Sequence, residues 1–142
     1  DGELSDAKIQ VDTITTPEKI IKVLFAEDDE LNNKFIEKYL TSFKNFEYKG
    51  FFNGKSLLEY FEKNRNYDII ILDIQMPVMD GVECLNEIRK ISDNIPIVAL
   101  TAFATIDDKE RFIKLGFDGY IAKPIVKKDL LSIILDLLKI TS

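Results

Sequence analysis

The chain contains no histidine and no tryptophan, and it has one cysteine and two methionines in 142 residues. The absence of histidine removes Ser-His-Asp and Cys-His nucleophile pairs, zinc sites that need an imidazole, and self-phosphorylation on histidine. A single cysteine, Cys84, allows no intramolecular disulfide, which points to a reducing compartment. Long hydrophobic runs are missing too. The apolar stretches 69–72 and 95–100 are of strand length, well short of the roughly 20 residues a membrane-spanning helix needs. Nor is there a basic patch. The net charge is −6 and the pI near 4.8, which argues against nucleic acid as a direct partner. The first residue is Asp1, and residues 1–19 have neither the basic start nor the apolar core of a signal peptide, so the chain reads as a piece of a longer protein.

What is present suits one globular domain. Hydrophobic residues make up 46% and charged residues 31%, over a length that supports a single core. Residues 1–19 are polar and irregular and read as a flexible linker or tail. From Ile20 onward, short apolar runs alternate five times with amphipathic stretches. This predicts strands at about 22–26, 47–52, 69–73, 97–101 and 119–122, and helices at about 29–43, 54–64, 81–91, 106–115 and 127–140. The first, third and fourth strands are nearly continuous in Ile, Val and Leu, as expected of strands covered on both faces. The second is mixed and predicts an edge. Asp80 with Glu83, and Thr105 with Asp108, predict capping pairs; Asn53-Gly54 predicts the turn into the second helix, and Gly116 a helix stop. Leu31, Phe35, Tyr39 and Phe43 predict the core stripe of the first helix, and Leu130, Ile134, Leu137 and Leu138 that of the last.

Five strand–helix units imply a parallel sheet with right-handed crossovers. All strand carboxyl ends then share one edge, where ligands bind. On that edge fall the acidic cluster Glu27-Asp28-Asp29, Asp73, the hydroxyl of Thr101, and Lys123 in front of Pro124. Three carboxylates, a hydroxyl and an ammonium group in one place make a site for a divalent metal and a phosphoryl group.

The segments VLFAEDD, DIIILDIQMPVMDG, IPIVALTA and GYIAKPI occur in this order on the expected elements. In them the chain, from about Ile20 to Ile140, resembles a receiver domain, the phospho-accepting module of two-component signalling. The resemblance implies an α/β, flavodoxin-like (βα)5 doubly wound sheet. Its five parallel strands would run in the order 2-1-3-4-5 with helices on both faces, and residues 20–142 would form the receiver domain.

The resemblance also assigns roles. Asp73 would be the nucleophile that becomes an acyl phosphate. Mg²⁺ would be held by Asp28, Asp73 and the backbone carbonyl of Gln75, with Glu27 acting through water. Asp29 is read as the cap of the first helix. Lys123 would be the counter-charge for the phosphoryl oxygens, next to a Lys123–Pro124 bond that is cis in the family pattern. Thr101 would be the switch hydroxyl, with Ala102 leaving space above the site, and Tyr120 the aromatic switch position. Gln75 and Phe103 flank the site and would tune how long the phosphate lasts. The face of the fourth helix, fifth strand and fifth helix, with Phe103, Ile106 and Tyr120, would be the output surface and a face through which two copies could pair. Cys84 reads as packing.

The implied partners are a histidine kinase or a histidine phosphotransfer protein, with no nucleic-acid or membrane contact by this domain and a cytoplasmic location. The run LDIQMPVMDG and Asn32 resemble receivers fused behind a sensor kinase, in hybrid histidine kinases, whereas Asp29 stands where that pattern has Asn. Fused and stand-alone arrangements both stay open. An aspartate-nucleophile phosphohydrolase would place a second acid two residues after the nucleophile, where this chain has Gln75. A degenerate receiver would lack an acid or the lysine, and a flavin binder would replace the three acids after the first strand with a phosphate loop. The expectation is a phosphoacceptor with at most slow self-dephosphorylation, not an enzyme.

Overall fold

A computed structural model describes residues 19–140. The expected linker or tail over residues 1–19 lies outside the described residues except for Lys19. Five strands alternate with five helices: β1 Ile21–Ala26, α1 Glu30–Thr41, β2 Phe46–Phe51, α2 Gly54–Lys63, β3 Ile69–Asp73, α3 Gly81–Ile91, β4 Ile97–Thr101, α4 Ile106–Leu115, β5 Gly119–Ala122 and α5 Lys127–Leu138. All strand pairs are parallel, in the order β2-β1-β3-β4-β5, the flavodoxin-like arrangement that was expected. Among the described residues no helix is long and apolar enough to cross a membrane.

The continuous apolar strands follow from burial on both faces. Side chains alternate across a sheet, so Val23, Phe25, Ile71, Val98 and Leu100 pack under α1 and α5, while Leu24, Ala26, Ile70, Leu72 and Ala99 pack under α2, α3 and α4. Every residue of β3 and of β4 is buried. At the amino ends, Asp68 and Asp118 each precede a strand and cap its neighbour: Lys22 N donates to Asp68 Oδ2 (2.8 Å), and Ile97 N to Asp118 Oδ2 (2.8 Å).

The helix starts agree with their caps. Asp80 and Thr105 form complete capping boxes with Glu83 and Asp108, Asn53 caps α2, and Asp29 caps α1. Gly116 ends α4 at φ 117°, a conformation that favours glycine. α1 stops at Thr41 and α5 at Leu138, each two residues short of expectation.

The stripe expected for α1 is corrected. Its buried residues are Asn33, Ile36 and Leu40, while Leu31 is 61% exposed and Phe35 and Tyr39 are half-buried. Phe43 is buried, but beyond the helix. In α5, Leu130 and Ile134 are buried as expected, joined by Leu131 and Leu135, whereas Leu137 and Leu138 are only half-buried.

Candidate functional site

The strand register delivers the acidic residues to one place. Ala26 pairs with Leu72, so Glu27 and Asp73 are neighbours at the ends of β1 and β3. One carboxylate oxygen from each of Glu27, Asp28 and Asp73 lies within 4.8 Å of the others. Glu27 and Asp73 are buried and Asp28 is exposed, so the cluster has an inner floor and a wet rim. Asp73 pairs with Leu100, which puts Thr101 one residue further along the next strand. Thr101 in turn pairs with Ala122, and Lys123 N donates to its carbonyl (2.8 Å).

Lys123 joins the two inner acids. Its Nζ lies 2.9 Å from Asp73 Oδ2, a hydrogen bond, and 2.9 Å from Glu27 Oε1. The second contact is an ion pair, and among the described residues the buried Glu27 Oε1 has no hydrogen-bond partner. The Lys123–Pro124 peptide bond is cis, as the family pattern implied. The other Glu27 oxygen accepts the Asp29 amide (2.9 Å), and Asp73 Oδ1 accepts the Gln75 amide (3.2 Å).

The electrostatics follow from two buried anions and one cation. Burial pushes the Glu27 carboxyl up to about 7; Lys123 and the Asp29 amide pull against this, and the charge of Asp73 adds to it. Asp73 is raised as well, chiefly by burial, with Lys123 opposing. Burial works to lower Lys123, but its contacts with Glu27 and Asp73 outweigh this and hold its ammonium above the ordinary range. Both inner carboxyls therefore hold a proton more tightly than ordinary carboxyls do. The donor set fits a small hard cation: three carboxylates converging within 4.8 Å supply the oxygen ligands and negative charge that Mg²⁺ requires.

The loop after Asp73 is held down by two glycines. A Cβ at Gly81 would run into the carbonyl of Asp73, and one at Gly54 would lie 2.7 Å from the carbonyl of Met79. Between them Val78 is the centre of a tight turn, with Met79 N donating to Pro77 O (2.8 Å) at a Val78 φ of 71°. A cleft of about 490 Å³ opens beside this loop, with Asp28, Gln75 and Asp80 among its lining residues.

Thr101 is buried, and its hydroxyl donates to Phe103 O (3.0 Å) and accepts from Phe103 N (2.9 Å), so it is committed to its own loop. Tyr120 is half-buried on the edge strand β5, with Lys109 Nζ 5.0 Å from its ring centre. Phe103 and Ile106 are exposed. Cys84 is buried, donates to Gly54 O (3.4 Å), and has its thiol pushed up to about 12 by burial, the inert packing residue expected.

Asn33 was not foreseen. Its Nδ2 donates to Glu27 O (2.9 Å) and Phe51 O (3.0 Å), tying α1 to the ends of β1 and β2 directly behind the acids. The signal was available: Asn33, Ile36 and Leu40 share the i, i+3, i+7 spacing of one helix face, and a polar residue on that face needs partners.

With this geometry established, the comparisons agree with one another. Residues 23–135 match the response regulator receiver domain, and the chain belongs to that family. It is 41% identical over 121 residues, 80% of its length, to the hybrid signal transduction histidine kinase I of Dictyostelium discoideum. It is 39% identical over 127 residues, 84% of its length, to the peroxide stress-activated histidine kinase mak1 of Schizosaccharomyces pombe. The chain spans only 7% and 8% of these two relatives. Among solved structures, the receiver domain of a sensor histidine kinase from Pseudomonas aeruginosa, with a magnesium ion coordinated in its active-site cleft, superposes with a TM-score of 0.75 at 31% identity. That match covers 84% of this chain and 98% of the other.

Proposed function

We propose that Asp73 accepts a phosphoryl group from a phosphohistidine of a partner protein. The observation that carries this reading is the convergence of Glu27, Asp28 and Asp73, with Lys123 Nζ 2.9 Å from the two buried acids. A carboxylate oxygen of Asp73 attacks phosphorus, the bond from phosphorus to the donor imidazole nitrogen breaks, and an acyl phosphate forms. Such transfers need positioning and charge neutralisation more than acid–base help. Asp73 is buried at the end of a fully buried strand, which fixes its approach. Lys123 supplies a positive charge to the phosphoryl oxygens once it leaves the Asp73 carboxylate.

Asp28, Asp73 and the Gln75 carbonyl would hold Mg²⁺, with Glu27 behind them through water. The ion supplies charge neutralisation for the phosphoryl oxygens. Thr101 releases the Phe103 backbone to bond a phosphoryl oxygen, and Tyr120 moves into the space it vacates. Through these two residues the modification reaches the α4-β5-α5 face, which serves as the output surface or as a pairing face for a second copy. Alternatively the phosphoryl group is relayed onward to a histidine phosphotransfer protein. The chain is a phosphoacceptor with at most slow self-dephosphorylation, and residues 20–142 form the domain behind a linker at 1–19. The two histidine kinases it resembles, one of them a hybrid kinase, support a place within a longer histidine kinase, and the proposed location is cytoplasmic.

The test is intact-protein mass after incubation with phosphoramidate, with and without Mg²⁺, for this chain and for Asp73→Asn. One added phosphoryl group that requires both Mg²⁺ and Asp73 is expected. Labelling that survives Asp73→Asn would remove Asp73 from this role.

A further inference from the structure

Among the described residues β5 is an edge of the sheet, paired on one side only, with β4. The opposite edge, β2, carries the exposed charges Glu47 and Lys49, a common guard against added strands. β5 reads Gly119-Tyr120-Ile121-Ala122 and has no such charge. All four of its residues line a groove of about 460 Å³ between α4 and α5.

The groove has a sign. Among the described residues its charged lining residues are Asp118, Asp129 and Asp136, and none is basic. Asp118 is already engaged, by Arg89 Nη2 (2.9 Å) and the amide of Ile97 (2.8 Å). Asp129 and Asp136, both exposed on α5, form no ion pair among the described residues. The α4 wall is apolar at Ile113, which is 52% exposed, and Lys109 is drawn against the Tyr120 ring (5.0 Å). The two helices lie on opposite faces of the sheet, so one wall is acidic and the other apolar.

We infer that this groove takes an extended basic segment of a partner protein, which adds as a further strand along β5 and sets Lys or Arg side chains against Asp129 and Asp136. Alternating side chains meet opposite walls, so the segment carries basic residues towards α5 and apolar residues towards Ile113. Asp129 and Asp136 are two helical turns apart, roughly 10 Å along the axis. Same-face side chains on a strand recur roughly every 6.8 Å, so basic residues two or four positions apart fall within reach of both. A second copy is the poorer occupant. Pairing β5 with β5 about a two-fold axis normal to the sheet brings α5 against α5, and these carboxylates then face their own kind.

The inference deepens the reading of this face as the output surface and rests on that reading for its signalling consequence, not for the binding. Fluorescence anisotropy of a labelled Lys-Val-Lys-Val-Lys peptide on Asp73→Asn protein tests it with phosphorylation excluded. Binding is expected to weaken about tenfold in the double variant Asp129→Asn/Asp136→Asn. It should weaken as much when the peptide carries N-methyl groups on the amides that face the edge. No binding, binding indifferent to Asp129 and Asp136, or an N-methylated peptide that binds equally well would each overturn the inference. Sedimentation alongside reports whether the groove is filled by self-association, which would also overturn it. Phosphoramidate labelling of the unaltered chain, run in parallel, reports on Asp73 independently of all these outcomes.

Discussion

The ammonium of Lys123 hydrogen-bonds Asp73 Oδ2 at 2.9 Å while lying 2.9 Å from Glu27 Oε1. One cation therefore serves two buried anions, and removing it leaves both uncompensated. Breaking a buried ion pair from one side costs about 3 kcal/mol. Lys123→Met is expected to lose stability on that order above neutral pH, and much less near pH 5, where a proton on Glu27 takes over part of the compensation. Urea denaturation at the two pH values checks this, and phosphoramidate labelling of the variant should be lost at both. Equal destabilisation at both pH values would show that packing, not charge, is what Lys123 provides.

The metal-free protein should lose stability as pH rises through neutrality. Glu27 has an ordinary value of 4.5 and is raised to about 7 in the fold. The folded state therefore holds the proton more tightly than the unfolded state. This contribution is fully present below 4.5 and is lost as pH climbs through about 7. Asp73, also raised, acts in the same direction. Thermal midpoints measured from about pH 5 to about pH 8 should fall, and Glu27→Gln should flatten the profile. Mg²⁺ should raise the midpoint more at the higher pH, because protons compete for the same oxygens. A Glu27→Gln profile as steep as that of the unaltered chain would place the titration elsewhere.

Asn33→Ala removes two hydrogen bonds and leaves the carbonyl of Glu27 short of a partner behind the site. A loss of about 2 kcal/mol is expected from the unsatisfied buried group. Because the substitution leaves every carboxylate in place, phosphoramidate labelling should still reach one phosphoryl group per chain. Loss of labelling in a folded Asn33→Ala protein would mean that Asn33 sets the position of Glu27 as well as bracing it.

Gly81→Ala and Gly116→Ala separate two reasons for glycine. At Gly81 the added methyl meets the Asp73 carbonyl and lies 2.9 Å from Ile74 Cα, so backbone must move next to the nucleophile. At Gly116 space is available, and only the φ of 117° resists. Both should cost about 1 to 3 kcal/mol. Only Gly81→Ala is expected to slow labelling as well, which a time course of intact mass resolves.

The elements and the acidic edge were legible in the sequence because their signals are local. Continuous Ile and Val runs, Asp80 with Glu83, and Gly116 each act within a few residues. The α1 stripe misled for a geometric reason. Steps of four residues advance 40° beyond a full turn, so three of them carry Leu31 and Phe43 about 120° apart, on different faces. Asn33 and the Thr101–Phe103 hydrogen bonds were missed because their partners are backbone atoms, and a sequence pattern does not show where those point. That β5 ends the sheet followed from the expected strand order, but the acidic groove beside it was missed, since it depends on which side chains of α4 and α5 line that edge.

Val78 is the residue whose local chemistry disagrees most with its place. A β-branched side chain at φ 71° is strained, and Val78 is 74% exposed, so little packing offsets that cost. Asn tolerates this region better and, unlike Gly, adds little freedom to the unfolded chain. Val78→Asn is therefore expected to raise stability by about 1 kcal/mol, seen as a higher urea midpoint at unchanged slope. Because the loop between Pro77 and Gly81 is anchored on the Asp73 carbonyl side by a hydrogen bond from Gly81 N to Ile74 O (3.0 Å), relief at Val78 should leave the site geometry intact. Labelling by phosphoramidate should then keep its rate. A stabilised variant that labels more slowly would instead show that the strain is coupled to the phosphoacceptor. In that case the exposed valine is retained for what it does to Asp73.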